Sequence, residues 1–214
     1  MDVAKFLQYI ASGTAYTVGV TLIALPSGLL LGTLLALLNV YSGKVTKWLT
    51  SLYSTVMRGI PPIVLLFILY FVVSGSVNLS PFLAGSISLG IVSSAYQMEI
   101  VRGAILSVSG GQMMAARAIG MSKQQAIRGV ILPQTLRLAI PPWSNEAAIV
   151  IKDSSLVYAL GVPEILRRAQ LISASTQEPF LAYAAAAVIY FILVFITSRL
   201  LDRLELQLRI PANP

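Results

Sequence analysis

The sequence of 214 residues contains neither cysteine nor histidine. Without cysteine there is no disulfide, no thiolate catalyst and no sulfur-ligated metal. Without histidine there is no Ser-His dyad and no histidine-ligated metal site, which disfavours an intramembrane protease or a metalloenzyme. We therefore expect no catalytic residue, no metal site and no cofactor held by this chain.

A phosphate-binding loop is also missing from the sequence. The G-x-x-x-x-G-K-[ST] pattern needs a glycine five positions before its Gly-Lys pair. The one such pair, Gly43-Lys44, has Leu38 at that position. The chain cannot hydrolyse ATP by the usual route, so energy for any transport must come from a partner or an ion gradient.

Charged residues are scarce, at 11% of the sequence, whereas hydrophobic residues make up 57%. Soluble domains typically have about 25% charged residues. No charge occurs from residue 6 to 43 or from 59 to 98, and about 20 apolar residues suffice to cross a membrane. The net charge of +7 does not indicate nucleic acid binding, because the basic residues lie in several loops instead of one patch.

The pattern predicts an all-α membrane protein of five spans, at residues 14–40, 49–73, 83–105, 140–162 and 180–201. A turn with Gly75 and Pro81 is predicted at 74–81. Lysine and arginine favour the cytoplasmic side, and most of them follow spans one, three and five. This bias predicts an external N-terminus and a cytoplasmic C-terminus. Arg167 and Arg168 run against it, although Glu164 and Glu178 share their loop.

One segment, GAILSVSGGQMMAARAIGMSKQQAIRGVILP at residues 103–133, combines small residues with basic ones. It is too polar for a span but suits a short cytoplasmic helix that another protein can approach closely. It resembles the EAA-x3-G loop of permease subunits in binding-protein-dependent ABC importers, which ends in Ile-x-Leu-Pro or a variant. Met114 departs from the pattern, since the family usually has glutamate there.

Three further motifs resemble the polar amino acid branch of that family. They are Arg58-Gly59-Ile60-Pro61, with Leu65 in place of a common glutamine; the run from Ala95 to Gly103 (AYQMEIVRG); and the run from Pro141 to Leu156 (PPWSNEAAIVIKDSSL), with Ser154 for threonine. The resemblance covers nearly the whole chain. It implies a single permease domain, residues 1–214, in a prokaryotic cell membrane, with a coupling loop at about 106–137.

The resemblance also implies the function and the partners. The chain would form the translocation path of an ATP-driven importer of polar amino acids, basic ones among them, with a second permease that is a copy or a paralogue. Two cytoplasmic ATPase subunits would bind the ATP, and an extracytoplasmic solute-binding protein would deliver the substrate. The predicted ATPase-coupling residues are Ala115, Ala116, Ala118, Gly120, Met121 and Ser122.

Charges within the fourth predicted span indicate a substrate site, because charges in a membrane need partners or a water-filled cavity. Positions seven apart share a helix face, so Glu146 lies below Asp153 and Asn145 below Lys152. Such a surface complements a zwitterion, particularly one with a cationic side chain. The predicted substrate-binding residues are Asn145, Glu146, Lys152 and Asp153, together with Tyr96 and Glu99 of the 95–103 motif.

Each motif also has a purely structural interpretation. Pro61 would kink a helix, Glu99 and Arg102 would form an ion pair, and the small residues at 115–120 would only pack helices. Lys152 and Asp153 would pair with other helices or with a second subunit. At the level of function, an ion-coupled secondary transporter and a channel-forming subunit stay open as alternatives. The first usually has more spans and inverted repeats, and the second does not need the loop motif.

Overall fold

A computed structural model describes residues 3–73, 77–108 and 110–208. All regular elements within these ranges are helices, which confirms the all-α prediction. In chain order they are α1 (Val3–Ala11), α2 (Thr14–Tyr41), α3 (Lys44–Gly59), α4 (Pro62–Ile68) with a π-turn (Leu69–Val73), α5 (Pro81–Ser107), α6 (Gly110–Ala118), α7 (Lys123–Ala126) with a π-turn (Ile127–Ile131), α8 (Leu132–Asp153) with a 3-10 extension (Ser154–Leu160), α9 (Ile165–Thr176) and α10 (Pro179–Leu208).

Two stretches of helix in the described ranges are long and apolar enough to cross a membrane, Ala4–Tyr41 and Pro179–Gln207. A third candidate is the pair Lys44–Gly59 and Pro62–Val73, whose two halves are bent by 101°. The first and fifth predicted spans correspond to α2 and α10. By length and composition the structure thus supports two or three of the five predicted spans.

Helix α5 lies at the centre of the bundle, and its most extensive helix partner among the described residues is α2. More than half of its residues are buried, and many are small or polar, such as Gly85, Ser86 and Ser94. The two backbones approach closely at Gly32 of α2, where an added Cβ would lie 2.7 Å from the Ser94 carbonyl oxygen. Because neighbouring helices cover α5, its sequence does not need the high hydropathy of a lipid-facing span.

The second predicted span consists of two helices, and its predicted start was wrong. Helix α3 begins at Lys44 instead of residue 49 and ends at Gly59, and α4 begins at Pro62. Ile60 and Pro61 between them have extended backbone, with ψ near 130°, as a proline imposes on the residue before it. The predicted kink at Pro61 is confirmed, and it is a sharp break.

The fourth predicted span also has different bounds. Helix α8 begins at Leu132, runs through Pro141 and Pro142, and ends at Asp153, after which a 3-10 turn continues to Leu160. The predicted coupling loop, 106–137, therefore includes the first residues of α8. Of the predicted turn at 74–81, residues 74–76 lie outside the described ranges, and Pro81 opens α5.

Two helices were not predicted, α1 and α9, and they pack together against the start of α10. Phe6 and Ile10 of α1 contact a buried cluster that includes Ile165 and Ala169 of α9. Glu164 caps α9 by accepting hydrogen bonds from the backbone N–H of Leu166 and Arg167, and it also accepts one from the Tyr190 hydroxyl at 2.6 Å. Burial raises the pKa of the Glu164 carboxyl in spite of these bonds.

Arg167 and Arg168, the basic pair that runs against the charge bias, make local contacts near the start of α9. Arg168 stacks over the Tyr9 ring, 4.9 Å from its centre, and donates to the Pro163 carbonyl oxygen. Arg167 donates to the side chain of Gln170. Both guanidinium groups therefore have local partners that fix them to the surface of α9.

Candidate functional site

The predicted coupling segment forms a helical hairpin, α6 and α7, joined by a tight turn. Gly120 makes the turn with φ of +88°, a conformation that favours glycine. Ser122 then caps α7 through two hydrogen bonds. The Ser122 hydroxyl accepts one from the Gln125 backbone N–H, and the Gln125 side chain accepts the other from the Ser122 backbone N–H. The backbone of the turn therefore favours glycine at position 120.

Most of the predicted coupling residues lie on the surface of this hairpin. Ala115, Ala118, Gly120 and Ser122 are exposed, Met121 is half-buried, and only Ala116 points into the protein. Two large apolar side chains flank them, with Met114 70% exposed and Ile119 80% exposed. Small residues beside protruding apolar ones make a surface that another protein can pack against closely.

The hairpin is anchored to the bundle at the end of α2. The Lys123 ammonium group donates to the Tyr41 carbonyl oxygen at 3.2 Å and lies over the Tyr41 ring. Within the hairpin, Arg117 donates to the Met121 carbonyl oxygen at 2.9 Å. These contacts link the position of the exposed turn to that of α2.

A second site is a pocket of about 110 Å³ between α4, α5 and α8, which we call the acidic pocket. Three predicted substrate residues line it, namely Tyr96 of α5 and both Glu146 and Asp153 of α8. The rest of its lining is Ser93 and the apolar residues Pro62, Leu89, Val92, Ile149 and Val150. Among the described residues this lining includes two carboxyl groups and no basic side chain.

The two carboxyl groups of the acidic pocket differ in their surroundings. Glu146 is only 4% exposed and accepts a hydrogen bond of 2.6 Å from the Ser93 hydroxyl. Asp153 is half-buried at the C-terminal end of α8, seven residues further on. Seven residues of helix separate the two residues by about 10 Å along the axis, so two different turns of α8 contribute carboxyl groups to the lining.

The other three predicted substrate residues lie outside the acidic pocket. Asn145 is exposed. Lys152 lines a different groove of about 270 Å³, which we call the lysine groove, with Ser155, Tyr183 and Tyr190 among its other lining residues. A binding role for Asn145 and Lys152 stays a prediction, and the structure does not bring them together with Glu146 and Asp153.

Glu99, the sixth predicted substrate residue, is engaged in the structural ion pair that its spacing indicates. Its carboxylate lies 2.7 Å from the Arg102 guanidinium group and accepts 2.8 Å from the Ser54 hydroxyl. Arg58 donates to the same Ser54 hydroxyl at 3.2 Å. The Arg58-Gly59-Ile60-Pro61 and 95–103 motifs thus meet in one polar cluster beside the acidic pocket.

Sequence reasoning missed Pro62 and Ser93, which line the acidic pocket, and Gln97, which donates a hydrogen bond to Ser93. Pro62 directly follows Pro61, where a kink was predicted, so the predicted kink could have indicated a break that exposes a pocket at this position. Gln97 lies within the 95–103 motif and is fully buried, although the motif pattern leaves its position unspecified. No sequence signal distinguished Ser93 from the other serines of α5. In the described residues no group of His, Cys, Asp and Glu could hold a metal ion.

Comparisons with known proteins show which family the chain resembles. Residues 28–210 match the family of binding-protein-dependent transport system inner membrane components. The chain is 35% identical over 199 residues to the octopine transport system permease protein OccQ of Rhizobium radiobacter, covering 87% of this chain and 84% of the relative. It is 34% identical over 207 residues to the glutamine transport system permease protein GlnP of Escherichia coli (strain K12), covering 95% and 94%.

A solved structure gives the same result. The fold matches a crystal structure of an amino acid ABC transporter with histidines, with a TM-score of 0.86, 35% identity and 96% of each chain covered. These similarities confirm the resemblance stated from the motifs, and they do not support an ion-coupled secondary transporter. The chain therefore belongs to the family of binding-protein-dependent transport system inner membrane components, the permease subunits of ABC transporters.

Proposed function

We propose that this permease imports polar amino acids, basic ones among them, and that its acidic pocket binds the cationic side chain of the basic ones. Named relatives carry glutamine and octopine, which supports the polar amino acid class. The observation that carries the proposal is the meeting of Glu146, Asp153 and Tyr96 in one partly enclosed pocket without a basic lining residue. Two carboxyl groups with an aromatic ring beside them suit an ammonium or guanidinium group.

The whole chain, residues 1–214, acts in this proposal as one transmembrane domain of five spans. The spans are α2, the bent pair α3–α4, α5, α8 with its 3-10 extension, and α10. Helix α5 has 27 residues and α8 has 22, so they are about 40 and 33 Å long, enough for a hydrocarbon core of about 30 Å. The N-terminus with α1 and α9 lies outside, and α6, α7 and the C-terminus lie in the cytoplasm, as the lysine and arginine bias favours.

The α6–α7 hairpin is the coupling element in this arrangement. Its exposed alanines, Met114 and Ile119 contact a cytoplasmic ATPase subunit, which binds the ATP that this chain has no motif to bind. Two such ATPases serve two permeases, the second being a copy of this chain or a paralogue, and an extracytoplasmic solute-binding protein delivers the amino acid. The contact of Lys123 with Tyr41 would pass motion of the hairpin to α2.

Substitution of Asp153 tests the proposed substrate contact. Asp153→Asn keeps the shape of the side chain and removes one charge, so loss of a charge-assisted hydrogen bond should cost about 1.5–3 kcal/mol. In transporter reconstituted with its ATPase and binding protein, we expect uptake of arginine to fall at least about tenfold relative to glutamine. Glu178→Gln is the matched control, because it removes one charge from an exposed carboxyl group outside the acidic pocket, and it should leave that ratio unchanged.

The alternative is that Asp153 only holds the bundle together. In that case Asp153→Asn would lower the yield of assembled transporter and reduce uptake of both amino acids equally. An unchanged arginine-to-glutamine ratio in normally assembled Asp153→Asn transporter would refute the substrate contact. An equal change in the ratio in the Glu178→Gln control would assign selectivity to charge in general and not to the acidic pocket.

A further inference from the structure

A chain of hydrogen bonds runs through the core from α2 to the acidic pocket, with Gln97 at its centre. The Trp143 indole N–H donates to the Gln97 amide oxygen at 2.7 Å. The Gln97 amide nitrogen donates to the Leu25 carbonyl oxygen at 3.1 Å and to the Ser93 hydroxyl at 2.9 Å. The Ser93 hydroxyl donates to Glu146 at 2.6 Å.

The donors and acceptors of these groups fix the direction of every hydrogen bond in this series. An indole nitrogen is only a donor, so the Gln97 amide oxygen must face Trp143 and the amide nitrogen must face Ser93. Ser93 then accepts a hydrogen bond from Gln97, and its single proton is free to point at Glu146. The tryptophan thus determines, through two side chains, that the carboxylate receives a donor at one of its oxygens.

The same bonds hold helices α5 and α8 in register. Ser93 and Gln97 are one turn apart on α5, and Glu146 and Trp143 are one turn apart on the antiparallel α8. Ser93 therefore lies opposite Glu146, and Gln97 lies opposite Trp143. Gln97 and Ser93 are nearly fully buried, where a hydrogen bond left unmade is costly. Gly28 of α2 leaves the space that the amide needs, because an added Cβ there would lie 2.7 Å from the Gln97 nitrogen.

We propose that Ser93 and Gln97 are positioning residues that orient the Glu146 carboxylate and thereby set the preference of the acidic pocket for a cationic ligand. Ser93 occupies one carboxylate oxygen and leaves the other for an ammonium or guanidinium group. This inference rests on the proposed function, since it requires the acidic pocket to take the substrate. Gln97 acts only through Ser93 and need not touch the ligand.

Ser93→Ala tests the proposal in the assembled transporter with its ATPase and binding protein, using arginine and glutamine as probes. We expect the arginine-to-glutamine uptake ratio to fall about tenfold, as for loss of one hydrogen bond to a charged group. Gln97→Met, which removes the amide and frees the Ser93 hydroxyl to rotate, should lower the ratio in the same direction. Ser88→Ala is the matched control: Ser88 is also buried on α5, and its hydroxyl makes no hydrogen bond within the described residues.

A double mutant with Glu146→Gln distinguishes a positioning role of Ser93 from a general role in packing. If Ser93 acts through Glu146, then Ser93→Ala should not lower the ratio further in Glu146→Gln transporter, whereas independent effects would add. A ratio that stays unchanged in both Ser93→Ala and Gln97→Met while Glu146→Gln lowers it would overturn the positioning role and leave the pocket intact. No change in Glu146→Gln and Asp153→Asn together would instead refute the substrate site, and the positioning role with it.

Discussion

Substitution of Gly32 by alanine should measure the close contact between α2 and α5. A Cβ at Gly32 would lie 2.7 Å from the Ser94 carbonyl oxygen and 2.8 Å from the Met98 backbone nitrogen. Ordinary contact begins at about 3.5 Å, and both atoms belong to the helix backbone, so no side chain can rotate away. The two helices would have to separate, and such overpacking typically costs about 1–3 kcal/mol.

Gly103→Ala is the matched control for this experiment. Gly103 also lies within a helix, near the C-terminal end of α5, but an added Cβ there would meet nothing within 4 Å. Both variants gain helix propensity of up to about 1 kcal/mol. The difference between them therefore isolates the steric cost, and Gly32→Ala should be less stable than Gly103→Ala by about 1–3 kcal/mol.

The free energies can be compared by unfolding the purified transporter in mixed micelles with increasing sodium dodecyl sulfate. Helix content measured by circular dichroism gives the unfolding midpoint of each variant. Equal midpoints for Gly32→Ala and Gly103→Ala would refute the reasoning, because they would show that α2 and α5 do not depend on close backbone approach.

Two further predictions concern coupling and topology. Gly120→Trp should leave the permease inserted but uncouple ATP hydrolysis from uptake, because the large side chain blocks the ATPase. The control Gly120→Asn should stay coupled, since asparagine is small and tolerates positive φ. Normal uptake in the Gly120→Trp variant would show that the hairpin does not contact the ATPase. Since the chain has no cysteine, Ala174→Cys in α9 should react with an impermeant thiol reagent in intact cells, and Gln124→Cys in α7 only after the membrane is opened. Labelling of position 124 in intact cells would contradict the proposed orientation.

The sequence predicted the bounds of α2, α5 and most of α10 closely and those of α3 and α8 less well. Helices α2 and α10 are long, uniformly apolar stretches, so hydropathy located them to within a few residues at most ends. Helix α3 and the start of α8 contain charges, and their starts were misplaced because hydropathy ends a predicted span at charged residues. The Gly28-Leu29-Leu30-Leu31-Gly32 run is a small-x-x-x-small pattern that could have indicated the α2–α5 contact.

The short helices α1 and α9 were missed for a different reason. Helix α1 has nine residues and α9 twelve, and their buried residues, such as Phe6, Ile10 and Ile165, pack in one cluster with α10. Isolated helices of about ten residues are marginal in water, so their own sequences contain little signal. The cap formed by Glu164 and Tyr190 joins residues 26 positions apart, which no local pattern indicates.

Composition and local patterns were sufficient for the class of the protein: scarce charge, absent cysteine and histidine, and the order of motifs predicted a helical permease without its own ATPase. Only the tertiary structure decided which of its polar residues share a pocket. Helical periodicity places Glu146 and Asp153 on one stripe and Lys152 about 100° away, but it cannot say which stripe faces α5. Packing against Ser93 and Tyr96 puts the carboxyl groups in one pocket and leaves Lys152 in another, because that choice depends on contacts between helices far apart in the chain.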